Sequence, residues 1–397
     1  MPIATRLSLI LSLGAACTAQ TASQQQLQSW FPANQLITIG VYYYPEAWPE
    51  SQWERDIANI KKLGFEYIHL AEFAWAFMEP TEGNYQFGWL DKVVAIAQRN
   101  GLKVVLCTPS ATPSAWLSKS HPEILMINAE GLRMEHGSRE QADWSSPVYR
   151  QYVEKIDAKL AGHYGSNPTV WGWQLDNELS HYGQGVSCAP PSRIKFRAWL
   201  REKYGTIDRL NTDWGNAFWS QMYSDFDQIE MPNQRNLVAG VNPHAMLDLH
   251  RWCASETADN LRFQTAVLRR SVKNQWITTN FMMNFDRVNP ALSEKDLDIM
   301  SFTMYPVSGG LFRGELGYRM GDPAVIGFTH DFMRNLGGGI EGPMELQPGQ
   351  VLIRSIYGRP TGLPLNFFVD WRNGSPATTT ILSGKRLVPP GDTTIWQ

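Results

Sequence analysis

Val170-Trp171-Gly172-Trp173-Gln174-Leu175-Asp176-Asn177-Glu178 is an apolar, aromatic run that stops on an acid, an amide and a second acid. A short apolar run without strict alternation is what a strand buried on both faces of a parallel sheet looks like. Polar Ser180, His181 and Gly183 follow, so the strand gives way to a loop at once. In barrels of alternating strands and helices, reactive groups sit at the C-terminal ends of the strands. Glu178 is therefore a candidate proton donor and Asn177 a candidate ligand for a substrate hydroxyl. Taken alone, the two residues suit the start of a helix equally well.

The flanking sequence repeats the same grammar. Ile37 to Tyr44 reads as a strand, Pro49-Glu50 opens a helix with Trp53, Ile57 and Ile60 on one face, and Gly64 closes it before the apolar run Tyr67 to Ala71. That is one strand-helix-strand unit. Helices are then predicted over Leu90 to Gln98, Ser145 to Tyr164, Ser192 to Tyr204, Ala245 to Val272 and Phe328 to Asn335. Further strands are predicted at Lys103 to Thr108, Val170 to Leu175, Trp276 to Phe281, Leu297 to Met304 and Pro343 to Leu346. The fold class is α/β, a TIM (β/α)8-type barrel. Only seven strand starts are legible, so the eighth strand is expected to be missing or replaced by an atypical C-terminal tail.

With 397 residues, 43% hydrophobic and 18% charged, the chain can bury a large core. A formal net charge of -3 with no block of like charge argues against nucleic acid as a partner. The 16 Trp and 14 Tyr suit a carbohydrate ligand, because flat rings cover the C–H faces of sugars, although most such rings fill the core. Residues 1–22 read as a secretory signal peptide: Arg6, the apolar stretch Leu7 to Leu13, then small residues through Ala19. This stretch is too short to span a membrane, so export to the periplasm or the medium is expected. Lipid attachment at Cys17 is less well supported, since Gly14-Ala15-Ala16 is an imperfect lead-in. Cys107, Cys188 and Cys253 are too scattered for a disulfide framework or a metal cluster.

Polar and aromatic groups gather at the predicted strand tips: Tyr44-Pro45-Glu46, Glu72-Phe73-Ala74-Trp75, Thr108-Pro109, Asn177-Glu178, Asn280, Tyr305-Pro306 and Glu345. Burying several carboxylates together is costly unless each has a partner or a task. The strands ending at Glu178 and Glu345 stand across the barrel mouth, so the two acids can flank one substrate atom. Two carboxylates about an anomeric carbon are what glycoside hydrolysis needs, and a spacing of about 5 to 5.5 Å goes with retention of configuration.

Those tips, together with Gly40 to Trp48, Pro113 and Trp116, Leu210-Asn211, Trp214-Gly215, Phe218-Trp219-Ser220 and Met344-Glu345-Leu346-Gln347-Pro348-Gly349, resemble the β-galactosidases of glycoside hydrolase family 42 over Ile37 to Gln350. The resemblance implies a retaining enzyme that releases terminal non-reducing β-D-galactose and has Glu178 as acid/base and Glu345 as nucleophile; no cofactor or metal is expected. It implies a sugar site with Asn177 on the hydroxyl next to the reacting carbon, Tyr305 near the nucleophile, Trp219 as a wall and Glu72 as a further contact. Where the family often has Arg, this chain has His69, whose imidazole can also donate to a sugar oxygen. The cysteine cluster that holds zinc in some relatives has no counterpart around Arg139 to Tyr149 or Cys188.

After Gln350 the resemblance ends, and Ile353 stands where a sugar-stacking Trp is expected. Three segments are thus expected: the leader 1–22, a catalytic domain 23–350 and an atypical tail 351–397, as in a truncated or frame-shifted chain. The alternatives are a barrel glycosidase for β-glucosides, β-mannosides or α-arabinosides, or an inactive fragment. The expected partner is a β-galactoside or oligosaccharide, with no membrane span, and assembly with identical chains is compatible with the sequence.

Overall fold

The computed structural model describes residues 22–32, 34, 38–179, 181, 187–232, 240–282, 287–304, 323–336, 341–346 and 379–382. Among the described residues nine strands form one sheet: β1 (Thr38–Tyr42), β2 (Tyr67–Leu70), β3 (Lys103–Cys107), β4 (Val170–Gln174), β5 (Trp276–Thr278), β6 (Asn280–Met282), β7 (Met300–Met304), β8 (Glu341–Leu346) and β9 (Thr379–Leu382). Their order is β5-β4-β3-β2-β1-β9-β8-β7-β6. Only Thr279 separates β5 from β6, so the chain track that pairs with β4 continues into the one that pairs with β7, and the sheet returns on itself. The strand read as Trp276 to Phe281 is therefore bent and serves both neighbours.

Strands β1 to β8 pair in parallel, whereas β9 runs antiparallel to both β1 and β8. The eighth place is thus filled from the tail, by a segment that carries no apolar run long enough to have been read as a strand. Filling it covers the hydrogen-bonding edges that β1 and β8 would otherwise expose.

Around the sheet lie α1 (Gln24–Trp30), α2 (Glu50–Lys62), α3 (Trp75–Met78), α4 (Gly88–Arg99), α5 (Ala115–Ser120), α6 (Pro147–Tyr164), α7 (Pro190–Tyr204), α8 (Ile207–Asp213), α9 (Pro243–Arg269) and α10 (Pro323–Leu336). Start signals are written into several of them. Ser146 caps α6 by accepting from the Tyr149 N–H, Asn242 caps α9 in the same way, and each is followed by Pro, whose fixed φ suits the first helical position. Lys61 and Lys62 favour the C-terminal end of the α2 dipole. The apolar faces of these helices meet the outward side chains of the strands: Ile57, Leu90, Val94, Val153, Ile156, Leu261 and Leu268 pack in one core with Ile68, Leu70, Val104, Leu106 and Trp173. Each such side chain contributes about 1.5–3 kcal/mol on burial.

The barrel interior is filled from below. Leu27 on α1 packs with Tyr67, Val105, Trp171, Trp276, Ile299 and Met344, and the Phe31 ring lies 5.0 Å from Trp171. Two glycines make room for the rings: a Cβ on Gly40 would sit 2.3 Å from the Tyr67 ring, and one on Gly172 would sit 2.1 Å from Trp276. With that end plugged, the strand tips at the other end are where a substrate can enter. Among the described residues no helix is long and apolar enough to cross a membrane.

Candidate active site

Strand β4 ends by turning sharply. Asp176 and Glu178 have φ of 53° and 44°, left-handed values that cost a non-glycine residue about 1–3 kcal/mol and gather at functional sites. The segment after β3 and helix α9 offset that cost with hydrogen bonds. The Asp176 N–H donates to Thr108 Oγ1 (2.8 Å), and the Asp176 carboxylate accepts from Ser110 Oγ (2.6 Å), Gln264 Nε2 (3.3 Å) and the Asn177 N–H (2.8 Å). From the other side, the Glu178 N–H donates to Asn280 Oδ1 at the start of β6 (2.9 Å). The turn therefore holds Asn177 and Glu178 at the barrel mouth with little freedom.

Glu178 is 2% exposed and accepts from Arg139 Nη2 at 3.4 Å. Arg139 comes from the loop after α5 and lies over the Phe73 ring at 5.3 Å. Glu72, just past β2, is also 2% exposed and takes three partners inside the protein: Tyr44 Oη donates to Oε2 (2.6 Å), Gln174 Nε2 donates to Oε1 (3.0 Å), and the Asn177 amide lies 2.9 Å from Oε1. Gln174 is itself held by Tyr42 Oη (2.9 Å). Burial pushes the Glu72 carboxyl up to about 7, against the donors Tyr44 and Gln174 and the charge of Arg139, with Glu178 adding to the rise. Glu46, half-buried and close enough to feel the Glu72 charge, is likewise pushed up to about 7, first by desolvation. A mouth lined by carboxylates, two of them with raised proton affinity, a guanidinium and fixed amides can deliver and take up protons while binding hydroxyl groups.

The residues expected from the sequence divide into groups. Glu178, Asn177 and Glu72 are brought together. His69 is completely buried on β2, its ring 4.0 Å from that of Tyr42, and among the described residues neither nitrogen has a hydrogen-bond partner. Burial lowers its affinity for a proton to a pKa of about 3, so it is neutral at ordinary pH. Trp219 is 64% exposed, has φ of 56° and stacks on Phe218 at 4.6 Å. It lines a cavity of about 700 Å³ with Asn128, Tyr223 and Asn242, to which none of the carboxylates above contributes. For Glu345 the backbone is described: a bulge in β8 pairs it with Thr303 of β7. Its side chain, and the whole of Tyr305, lie outside the described residues.

Counting β5 and β6 as one place, β8 stands three places from β4 round the ring by way of β7, close to opposite. Sequence reasoning passed over Arg139, which sits in an irregular loop without periodicity, and Gln174, hidden inside the apolar run. The one usable signal for Gln174 was an amide at an inward position of a buried strand, where it must find partners.

A family model described as beta-galactosidase, glycoside hydrolase 42, matches residues 42–362 of the chain, running past Gln350. Beta-galactosidase BgaA of Thermus sp is 40% identical over 319 residues, which are 79% of this chain and 49% of that protein. The beta-galactosidase of Thermus thermophilus is 39% identical over the same length and shares. Among solved structures, a beta-galactosidase from the psychrophilic Marinomonas ef1 superposes with a TM-score of 0.74 at 37% identity, covering 79% of this chain and 48% of that one. One from the Antarctic haloarchaeon Halorubrum lacusprofundi gives 0.76 at 34%, covering 85% and 51%. The chain spans about half the length of the curated relatives it matches.

Proposed function

Since this chain belongs to glycoside hydrolase family 42, the β-galactosidases, we propose that it hydrolyses terminal non-reducing β-D-galactosides with retention of configuration. The observation that carries the reading is the rigid turn after β4, which sets buried Glu178 and Asn177 at the barrel mouth nearly opposite the strand that bears Glu345.

In the first step Glu178 gives its proton to the leaving glycosidic oxygen while the Glu345 carboxylate attacks the anomeric carbon. A covalent galactosyl ester forms and the aglycone leaves as an alcohol. In the second step Glu178, now ionised, takes a proton from water. The resulting hydroxide equivalent attacks the same carbon from the face the aglycone left, which frees Glu345 and restores the original configuration. Asn177 binds the hydroxyl next to the reacting carbon, and Arg139 fixes Glu178 and Asn177 relative to each other. Tyr305 completes the sugar site in this reading, whereas Trp219 stands on the separate cavity with Tyr223 and Asn242.

A panel of nitrophenyl glycosides tests the substrate. Turnover of the β-galactoside, with Glu345→Ala abolishing it, is the expected result. Failure on the β-galactoside with turnover of the β-glucoside, β-mannoside or α-arabinoside would overturn the substrate assignment, and failure on all four would point to an inactive fragment. Export rests on the residues 1–22 pattern. N-terminal sequencing of the protein from the culture medium or periplasm should begin at Gln20 or Ser23, and an intact Met1 would contradict it.

A further inference from the structure

We propose that Glu72 is a positioning residue that sets which way round the Asn177 side-chain amide stands, and so whether Asn177 offers a donor or an acceptor to the substrate hydroxyl. The inference rests on the reading of Asn177 as the ligand of the hydroxyl next to the reacting carbon.

The geometry around Asn177 admits two arrangements. One terminal atom of its amide lies 2.8 Å from Asn280 Nδ2 and 2.9 Å from Glu72 Oε1, and the other lies 3.1 Å from Arg139 Nη1. Asn280 cannot adapt, because its Oδ1 already accepts from the Glu178 N–H. If the first atom is nitrogen, it donates to an ionised Glu72 and the amide oxygen accepts from Arg139, at the expense of a donor facing a donor at Asn280. If the first atom is oxygen, it accepts from Asn280 but needs a proton on Glu72, and the amide nitrogen then faces Arg139. Each arrangement leaves one mismatch, so the proton on Glu72 decides between them. Glu72 has its remaining acceptor positions occupied by Tyr44 and Gln174, which makes the Asn177 side the one that can change.

The groups that act on Glu72 are Tyr44 and Glu46 from the tip of β1, Cys107 from β3, Arg139 from its loop and Glu178 from the tip of β4. Their net result, dominated by burial, puts its ionisation at about 7, within the working range of an enzyme. Above that pH, the arrangement with Arg139 donating to the Asn177 oxygen prevails and is the productive one. Below it, the amide turns over and affinity falls.

The test uses the full chain and Glu72→Gln. In the parent, kcat/KM on nitrophenyl β-galactoside should fall as pH drops through about 7, carried by KM rather than kcat, and the 2-deoxy-galactoside should lack that step. Glu72→Gln should lose the step. Tyr44→Phe removes a donor to the ionised carboxylate and should move the step to higher pH. With 15N-asparagine labelling and no substrate, the Asn177 side-chain amide signal, identified by its loss in Asn177→Asp, should titrate near pH 7 in the parent and stay fixed in Glu72→Gln. An amide that does not titrate in the parent, or a step unchanged by both Glu72→Gln and Tyr44→Phe, would overturn the proposal. A titrating amide in a protein that turns over no galactoside would instead remove the functional reading and leave this one standing.

Discussion

Glu178 and its neighbours do their work because the backbone gives them no alternative. A left-handed residue on either side of Asn177 aims the two side chains into the mouth, and Thr108, Ser110, Gln264 and Asn280 hold that turn from three different elements. Removing the proton donor without disturbing the turn is the sharpest residue-scale test, so Glu178→Gln is expected to lower kcat by about 100- to 10,000-fold on substrates with poor leaving groups. A loss of less than tenfold would take the acid/base role from this residue. Glu46 makes a separate prediction about stability. Its folded pKa, about 7, lies above the unfolded value of 4.5, so its contribution is fully present below about 4.5 and is lost as pH rises through 7. Glu46→Gln should therefore flatten part of the decline in unfolding free energy between pH 5 and 8, measured by urea titration. An unchanged pH slope would contradict the assignment.

At the scale of elements, the barrel depends on rings crossing where a strand has no side chain. Gly172→Ala would drive a methyl into the Trp276 ring, and such overpacking costs about 1–3 kcal/mol. A loss of that size in the unfolding free energy from urea titration, with activity retained below the midpoint, is the expected outcome, and an unaltered midpoint would mean that the strand can slide. The same elements show what was legible beforehand. The helices read from Ser145 and Ala245, which begin at Pro147 and Pro243, and the strand at Val170 were legible to within two residues, because apolar periodicity and apolar runs are local signals. The helix at Gln24–Trp30 was not, since its Gln-rich sequence looks like a linker and is helical through the Ser23–Gln26 capping box and burial of Leu27 under the barrel. Nor was β9, whose place is set by pairing with distant strands rather than by its own composition. In the site, the carboxylates could be read because acids at strand tips are conspicuous. Arg139 could not, because only the folded loop brings it to Glu178.

For the whole molecule, a sheet that returns on itself only through the chain at Thr279 and is plugged at one end leaves a mouth at the other, and the carboxylates, amides and guanidinium described above converge there. The eighth place in that ring is taken by an antiparallel segment of the tail, so deleting residues 379–382 removes the pairing that β1 and β8 make with it. That deletion is expected to abolish a cooperative thermal transition, and an undiminished transition would show that the ring stands without the segment.

The central claim is a double displacement at the anomeric carbon between Glu178 and Glu345. Proton NMR of the sugar released from nitrophenyl β-galactoside, recorded before the anomers equilibrate, tests it most directly. β-Galactose should appear first and α-galactose only later by mutarotation. Initial release of α-galactose would contradict it.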